Sequence, residues 1–216
     1  MDLSGKALAD RINALFQLNW EGWLNQASVD NLIRVLDQQQ KENIVGDILE
    51  IGVFRGKFAV LLAAALRPTE DLYLVDLFAP LPPGQDTGSI NNERDLRHWA
   101  QHPAYSEDQL LSKFKTVLDS STMEHIRLVK CDSIAMPLTG SFRVIHVDGN
   151  HAFKTVLHDL LFSFAHVVVG GTVIVDDWCH TGWPQVGLAL EAAMQSRSDM
   201  VVTATDTAKC YLRRVE

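Results

Sequence analysis

Apolar residues recur at three- and four-residue intervals over 7–18 and 29–40, which predicts two helices with one buried face each, the second capped by Ser28. After Gly46 the pattern shortens. Asp47-Ile48-Leu49-Glu50-Ile51-Gly52 reads as a strand ended by a glycine, and 57–66 has the Ala/Leu content of a buried helix. Strands are predicted at 72–76, 125–129, 142–148, 167–176, 200–204 and 210–215, and helices at 109–118, 153–164 and 186–195. Between the second strand and residue 104 runs a polar, proline-containing stretch, 78–104, too long for an ordinary crossover. It predicts a lid or substrate loop, with a short helix at 92–100.

Strands alternating with helices imply an α/β chain with a Rossmann-like, doubly wound, mostly parallel sheet, helices on both faces and an antiparallel C-terminal edge strand. Residues 1–45 form an N-terminal helical segment, and the whole of 1–216 is read as one domain. The amphipathic N-terminal helices either close the pocket or mediate a homo-oligomer contact; periodicity leaves both open.

Charge then narrows the partners. With 27 acidic against 19 basic residues the chain carries −8, which repels phosphate backbones, so nucleic acid is not expected. The longest apolar runs, 58–66 and 167–175, are far shorter than the roughly 20 residues of a membrane span. Cys131, Cys179 and Cys210 are widely spaced and fit neither a disulfide framework nor a thiolate zinc site. Met1-Asp2-Leu3-Ser4-Gly5-Lys6 lacks the features of a secretory signal. A soluble, cytoplasmic protein acting on a small molecule is the expectation.

The chemistry gathers at strand ends, where an open α/β sheet forms its ligand crevice. Val147-Asp148-Gly149-Asn150-His151 and Val175-Asp176-Asp177 each follow an apolar run. Converging, Asp148, Asp176, Asp177 and His151 offer three hard oxygen ligands and a proton acceptor, a divalent-metal site. Glu50-Ile51-Gly52-Val53-Phe54-Arg55-Gly56 is a glycine turn, but its acid would repel a phosphate and accept from an ammonium. A cationic, phosphate-free nucleoside such as S-adenosylmethionine suits it. Asp76 stands where an acid meets ribose hydroxyls in such sheets, and Asp132-Ser133 is placed to bond an adenine amino group.

Each feature has a plainer reading. Gly52 and Gly56 can make a tight turn and nothing more, Asp132 can cap a turn, and Asp176-Asp177 can do the same. Successive strand residues point to opposite faces, so both aspartates reach one point only if the backbone turns between them. His151 can be a solvated first-turn residue. Trp178 and Trp183 are pocket walls or core aromatics, His180 follows on a loop that can line the acceptor site, and His146 and His158 read as packed or surface residues.

With these motifs the chain resembles the class I S-adenosylmethionine-dependent methyltransferases. The string Ile145-His146-Val147-Asp148-Gly149-Asn150-His151, then Asp159-Leu160 and Gly170 to Asp177, is similar to the macrocin O-methyltransferase group over about 46–178. The resemblance implies that Asp148, Asp176 and Asp177 ligate Mg²⁺ and that His151 is the general base. Asn150 departs from it, where the group often has an acid, as does Asp176, where some members use Glu. The expected function is therefore Mg²⁺-assisted O-methylation of a small sugar, polyketide-derived or catechol-like metabolite. A related-fold partner of a hydroxylase and a non-catalytic nucleoside-binding module are the alternatives. A missing second glycine argues against a nicotinamide dehydrogenase.

Overall fold

The computed structural model describes residues 5–216, so Met1 to Ser4 of the start read for a missing secretory signal lie outside it. Seven strands form one sheet in the order β3-β2-β1-β4-β5-β7-β6. They are β1 (Asp47–Ile51), β2 (Leu72–Asp76), β3 (Ile126–Lys130), β4 (Phe142–Val147), β5 (Val167–Val175), β6 (Met200–Thr205) and β7 (Cys210–Arg214). The first five pair in parallel. The antiparallel element expected at the C-terminal side is β7, which pairs with β5 and with β6 and so lies one strand in from the edge. An antiparallel strand begins where parallel ones end. The turn before β7 therefore arrives on the rim that carries the C-terminal ends of β1, β2, β4 and β5.

Period-two alternation sorts the central strands. Ile48, Val144, Ile174 and Tyr211 point into one core, which the N-terminal helices α1 (Lys6–Phe16) and α2 (Gln26–Lys41) and the short α3 (Ala59–Ala64) cover with Ile12, Val29, Leu32, Leu36 and Leu61. Leu49, Ile145, Val173 and Leu212 point into the other, against Val156 and Leu160 of α7 (Phe153–His166) and Val186 and Leu190 of α8 (Pro184–Met194). Helix α2 begins three residues before its expected start at Val29. Asn25 is the cap, its side-chain oxygen accepting from Ser28 N at 2.8 Å, and Ser28 is the buried acceptor of the Tyr211 hydroxyl instead.

Between β2 and β3 lie α4 (Asn92–Gln101), α5 (Glu107–Phe114) and the four-residue α6 (Ser120–Met123). A 3₁₀ turn, Ser133–Ala135, follows β3. Neither α6 nor this turn was in the sequence expectation, since so few residues display no period. No helix among the described residues is long and apolar enough to cross a membrane.

Candidate active site

Main-chain bonds carry the sheet ladder one residue past the strands: Cys131 N donates to Asp76 O, Gly52 N to Val75 O, Asp148 N to Ile51 O and Asp176 N to Val147 O, at 2.8–3.1 Å. They line up the residues after β3, β1, β4 and β5 on one rim. Gly52, at φ +85°, allows a close approach here, because a Cβ on it would lie 2.0 Å from Asp148 O. The rim opens on a cavity of about 930 Å³, within the range of small-molecule sites.

At one end of this cavity the acids serve the main chain. One oxygen of Asp76 accepts from Val53 N at 2.7 Å and Phe54 N at 3.0 Å, and the other from Phe78 N at 2.8 Å, so it stitches the glycine loop to β2. Asp132 caps the 3₁₀ turn through Ile134 N. Ser133 donates to the buried Asp159, whose carboxyl burial pushes up to about 6. Asp76, Asp132 and Ser133 line the cavity while holding these bonds, and of the other residues expected at the donor Glu50 and Gly52 line it too, whereas Gly56 lies against Leu110 and Phe114 of α5.

The other end is built differently. Glu50 and His146 are register partners on β1 and β4, and strand alternation puts them with Asp148, Asp176 and Lys209 on the face of Ile48, Val144, Ile174 and Tyr211. Lys209, from the turn before β7, bonds Asp176 Oδ2 and reaches His146 Nε2 at 3.0 Å. An ammonium only donates, so His146 accepts at Nε2 and its Nδ1 proton goes to Glu50 Oε1 at 2.9 Å. Burial and the neighbouring ammonium both hold His146 far below its ordinary pKa, as that tautomer requires.

The turn between the aspartates is present. Asp177 takes φ +52° and donates its N–H to Asp176 Oδ1 at 2.9 Å, a left-handed step that brings both carboxylates to the rim. His151 Nε2 lies 3.4 Å from Asp177 Oδ2 and 3.7 Å from Asp148 Oδ1, while its ring packs on Trp183 at 4.6 Å. Among the described residues, His151 Nε2 and Glu50 Oε2 are buried side-chain atoms without a hydrogen-bond partner. The expected metal residues thus fall into two adjoining groups, His146–Asp148–Asp176 and Asp148–His151–Asp177, each with its ligand atoms within 4.8 Å of one another.

This end is short of positive charge. Burial and the Asp176 carboxylate push Asp148 well above the ordinary carboxylate range, and the same causes raise Asp177 to about 6. Burial and Asp148 raise Glu50 far more than Lys209 lowers it. For Asp176 burial is the largest single influence and works against ionisation, but the Lys209 ammonium, His146 and the hydrogen bonds with Lys209 and Asp148 together outweigh it and hold the acid at about 2. Burial keeps His151 on the neutral side. Lys57 and Arg94 also line the cavity, but they are turned to Gly22 O and Asp95.

Over the cavity, Trp23 stacks on Phe54 at 5.5 Å and meets Trp99 of α4 edge-on at 5.5 Å. The 78–104 stretch is tied down beside the rim: Asn150 Nδ2 donates to Asp86 O at 2.8 Å, Ile90 N to Gly182 O at 3.0 Å, and Trp183 Nε1 to Asp95 at 3.1 Å. Of the aromatics left open, Trp183 and His180 line the cavity; Trp178 packs with the second core and bonds Asp206 O. His146 is packed, as read, but as a polar link. Lys209 was missed, and its signal was the same period-two step that puts it on the face of Tyr211.

Comparison with known proteins adds a family. The description "Macrocin-O-methyltransferase (TylF)" matches residues 23–213. The chain is 26% identical over 157 residues to 8-demethyl-8-(2,3-dimethoxy-alpha-L-rhamnosyl)-tetracenomycin-C 4'-O-methyltransferase of Streptomyces olivaceus. It is 25% identical over 160 residues to demethyldecarbamoylnovobiocin O-methyltransferase of Streptomyces niveus. Each match takes in 69% of this chain and 59% of the relative, so the chain spans about three-fifths of their length. Among solved structures, the O-methyltransferase NovP superposes with a TM-score of 0.71 at 21% identity, over 87% of this chain and 79% of that one. TomG from Streptomyces achromogenes, solved with S-adenosylmethionine, gives 0.58 at 18% identity, over 99% and 92%.

Proposed function

The chain belongs to the macrocin-O-methyltransferase family, and from that premise we propose that it transfers the methyl group of S-adenosylmethionine to a hydroxyl of a small metabolite, with a divalent cation, Mg²⁺, at the acid cluster. The observation that carries this reading is the charge imbalance of the rim: Glu50, Asp148, Asp176 and Asp177 crowd one end of a cavity, and Lys209 answers Asp176 alone at hydrogen-bond distance. A cationic donor and a dication are the ligands such a site favours.

Glu50 Oε2, buried and unpartnered, is the acceptor for the donor's ammonium, which would restore its ionised form. Asp76, Asp132 and Ser133 retain acceptor capacity beyond their present bonds for ribose and adenine. When bound, S-adenosylmethionine supplies an electrophilic methyl on a sulfonium and leaves as a neutral thioether. Held by Asp148, Asp176 and Asp177, Mg²⁺ would lower the pKa of the acceptor hydroxyl. His151, neutral and with Nε2 free, takes the hydroxyl proton as the oxygen attacks the methyl carbon. Trp183 holds the imidazole in place, and the Trp23–Phe54–Trp99 wall offers flat faces to a ring of the acceptor. A sugar, polyketide-derived or catechol-like acceptor with neighbouring hydroxyls fits. The relatives' names, which describe a rhamnosyl tetracenomycin and a demethyldecarbamoylnovobiocin, support that class.

Isothermal titration with S-adenosylhomocysteine tests the donor site. Micromolar binding that Glu50→Ala removes is expected; a folded protein that binds neither S-adenosylhomocysteine nor S-adenosylmethionine overturns the reading. Labelled-methyl transfer that survives EDTA undiminished would reject the Mg²⁺ clause alone.

A further inference from the structure

Three buried side-chain atoms among the described residues lack a hydrogen-bond partner, and all three belong to residues that line the cavity: Glu50 Oε2, His151 Nε2 and Gln85 Oε1. The first two have partners in the proposed reaction, the donor's ammonium and the acceptor's reacting hydroxyl. Gln85 has none. It comes from the 78–104 stretch, and the main chain around it is fixed. Pro82 O accepts from Gln85 N at 3.3 Å across a turn with Gly84 at φ +76°, the left-handed third position that a type II turn gives to glycine. Asn92, at the start of α4, donates from Nδ2 to Gln85 O at 3.0 Å and accepts at Oδ1 from Thr87 N at 2.7 Å and the Thr87 hydroxyl at 2.6 Å. From the other side Asn150 holds Asp86 O, and Gly88 passes so near the base that a Cβ on it would lie 2.0 Å from His151 O. Residues 85–88 are thus clamped between α4 and the loop that carries His151, while the Gln85 amide faces the cavity with its oxygen unspent.

A neutral amide does nothing for the charge of the acids nearby. Its complement is a hydroxyl, which donates to Oε1 or accepts from Nε2. Resting on the reading that the cavity binds a hydroxylated methyl acceptor, we propose that Gln85 recognises a second hydroxyl of that acceptor, one that is not methylated. It thereby selects a polyhydroxylated ring, such as a sugar, and fixes which of the ring's hydroxyls meets His151. A buried amide oxygen left without a donor penalises any acceptor that lacks the matching hydroxyl, which is how a polar pocket rejects deoxy analogues. Because the backbone of 85–88 is pinned from both sides, the amide has little ordering left to offset the bond it makes. Acceptor choice is then written in the segment between β2 and α4, and it is anchored to the same loop as the base.

Methyl α-L-rhamnopyranoside and its three monodeoxy counterparts are the probes, titrated by ligand-observed nuclear magnetic resonance against the full chain saturated with S-adenosylhomocysteine and Mg²⁺. The native chain is expected to bind the parent sugar about tenfold more tightly than one of the deoxy sugars. Gln85→Leu keeps the bulk and drops the polar atoms, and Gln85→Ala removes both. Each should reduce that one ratio to about twofold or less and leave the ratios for the other two deoxy sugars in place. A residue that merely supported its loop would lower all four affinities together and leave every ratio standing. The proposal is overturned by that outcome, by a ratio that survives in both variants, or by a native chain that binds none of the four sugars or does not distinguish them. Titration with S-adenosylhomocysteine tells the two failures apart: a native chain that binds it without such discrimination rejects the role of Gln85 alone, and one that binds neither it nor the sugars rejects the donor site as well.

Discussion

Asp76 and Asp132 lie at the ends of β2 and β3 much as Asp148 and Asp176 follow β4 and β5, yet the two pairs meet different surroundings. The first pair is satisfied by main-chain N–H groups, four in all, and shapes a loop that is complete before any ligand arrives. The second pair faces an ammonium, an imidazole and other carboxylates, and its charge is balanced only in part. A backbone-satisfied acid is part of the scaffold and stabilises it. An acid raised by its neighbours lowers the stability of the free protein and gains when a cation binds.

Substitutions at the two ends should therefore diverge. The largest effect is expected at the charged end: Asp177→Asn should lower kcat for methyl transfer on the order of 10²–10³-fold. Its melting temperature at pH 8 should stay level or rise, because a carboxyl raised to about 6 is ionised there at a cost the amide avoids. A clear loss of stability would break the comparison. Next, Asp76→Ala leaves three N–H groups without their acceptor and should cost about 2–3 kcal/mol in urea unfolding, along with weaker S-adenosylhomocysteine binding. An unchanged midpoint would mean that the glycine loop holds itself.

The last effect, seen only as a slope of stability against pH, sharpens the comparison at a residue between the two classes. Asp159 is fully buried, with Ser133 as its donor, and its carboxyl is raised to about 6. Its stabilising contribution is present in full below the unfolded value near 4 and is lost as pH climbs through 6, by roughly 2–3 kcal/mol. Asp159→Asn keeps an acceptor for Ser133 and should flatten stability against pH between about 4 and 7. Thermal melts across that window give the slope, and an unaltered slope would assign it to another group.

The sequence made the strands legible because apolar runs of five to nine residues are bounded by glycines and acids, and their ends located the rim. It showed where the carboxylates would gather because the strand-end rule needs no coordinates. It hid what neutralises them. Lys209 follows Asp206-Thr207-Ala208 in a tight hairpin turn, the setting in which a lysine is ordinarily solvated. His146 lies inside an apolar strand, where alternation gives its face but not its partners. The position of Asp76 points to a ribose contact; that three N–H groups of neighbouring loops also converge on it depends on φ +52° at Phe54 and +48° at Phe78, which no periodicity encodes.

The placement of β7 sets an order of assembly. Chains fold from the N-terminus as they are made, and the acids at 148, 176 and 177 all leave the ribosome before Lys209 does. Until the final hairpin slots in beside β5, the growing domain carries a knot of carboxyl groups with no ammonium among them, and a buried ion without a partner is strongly disfavoured. The last two strands thus act as a keystone: closing the sheet and neutralising its most crowded corner are one event.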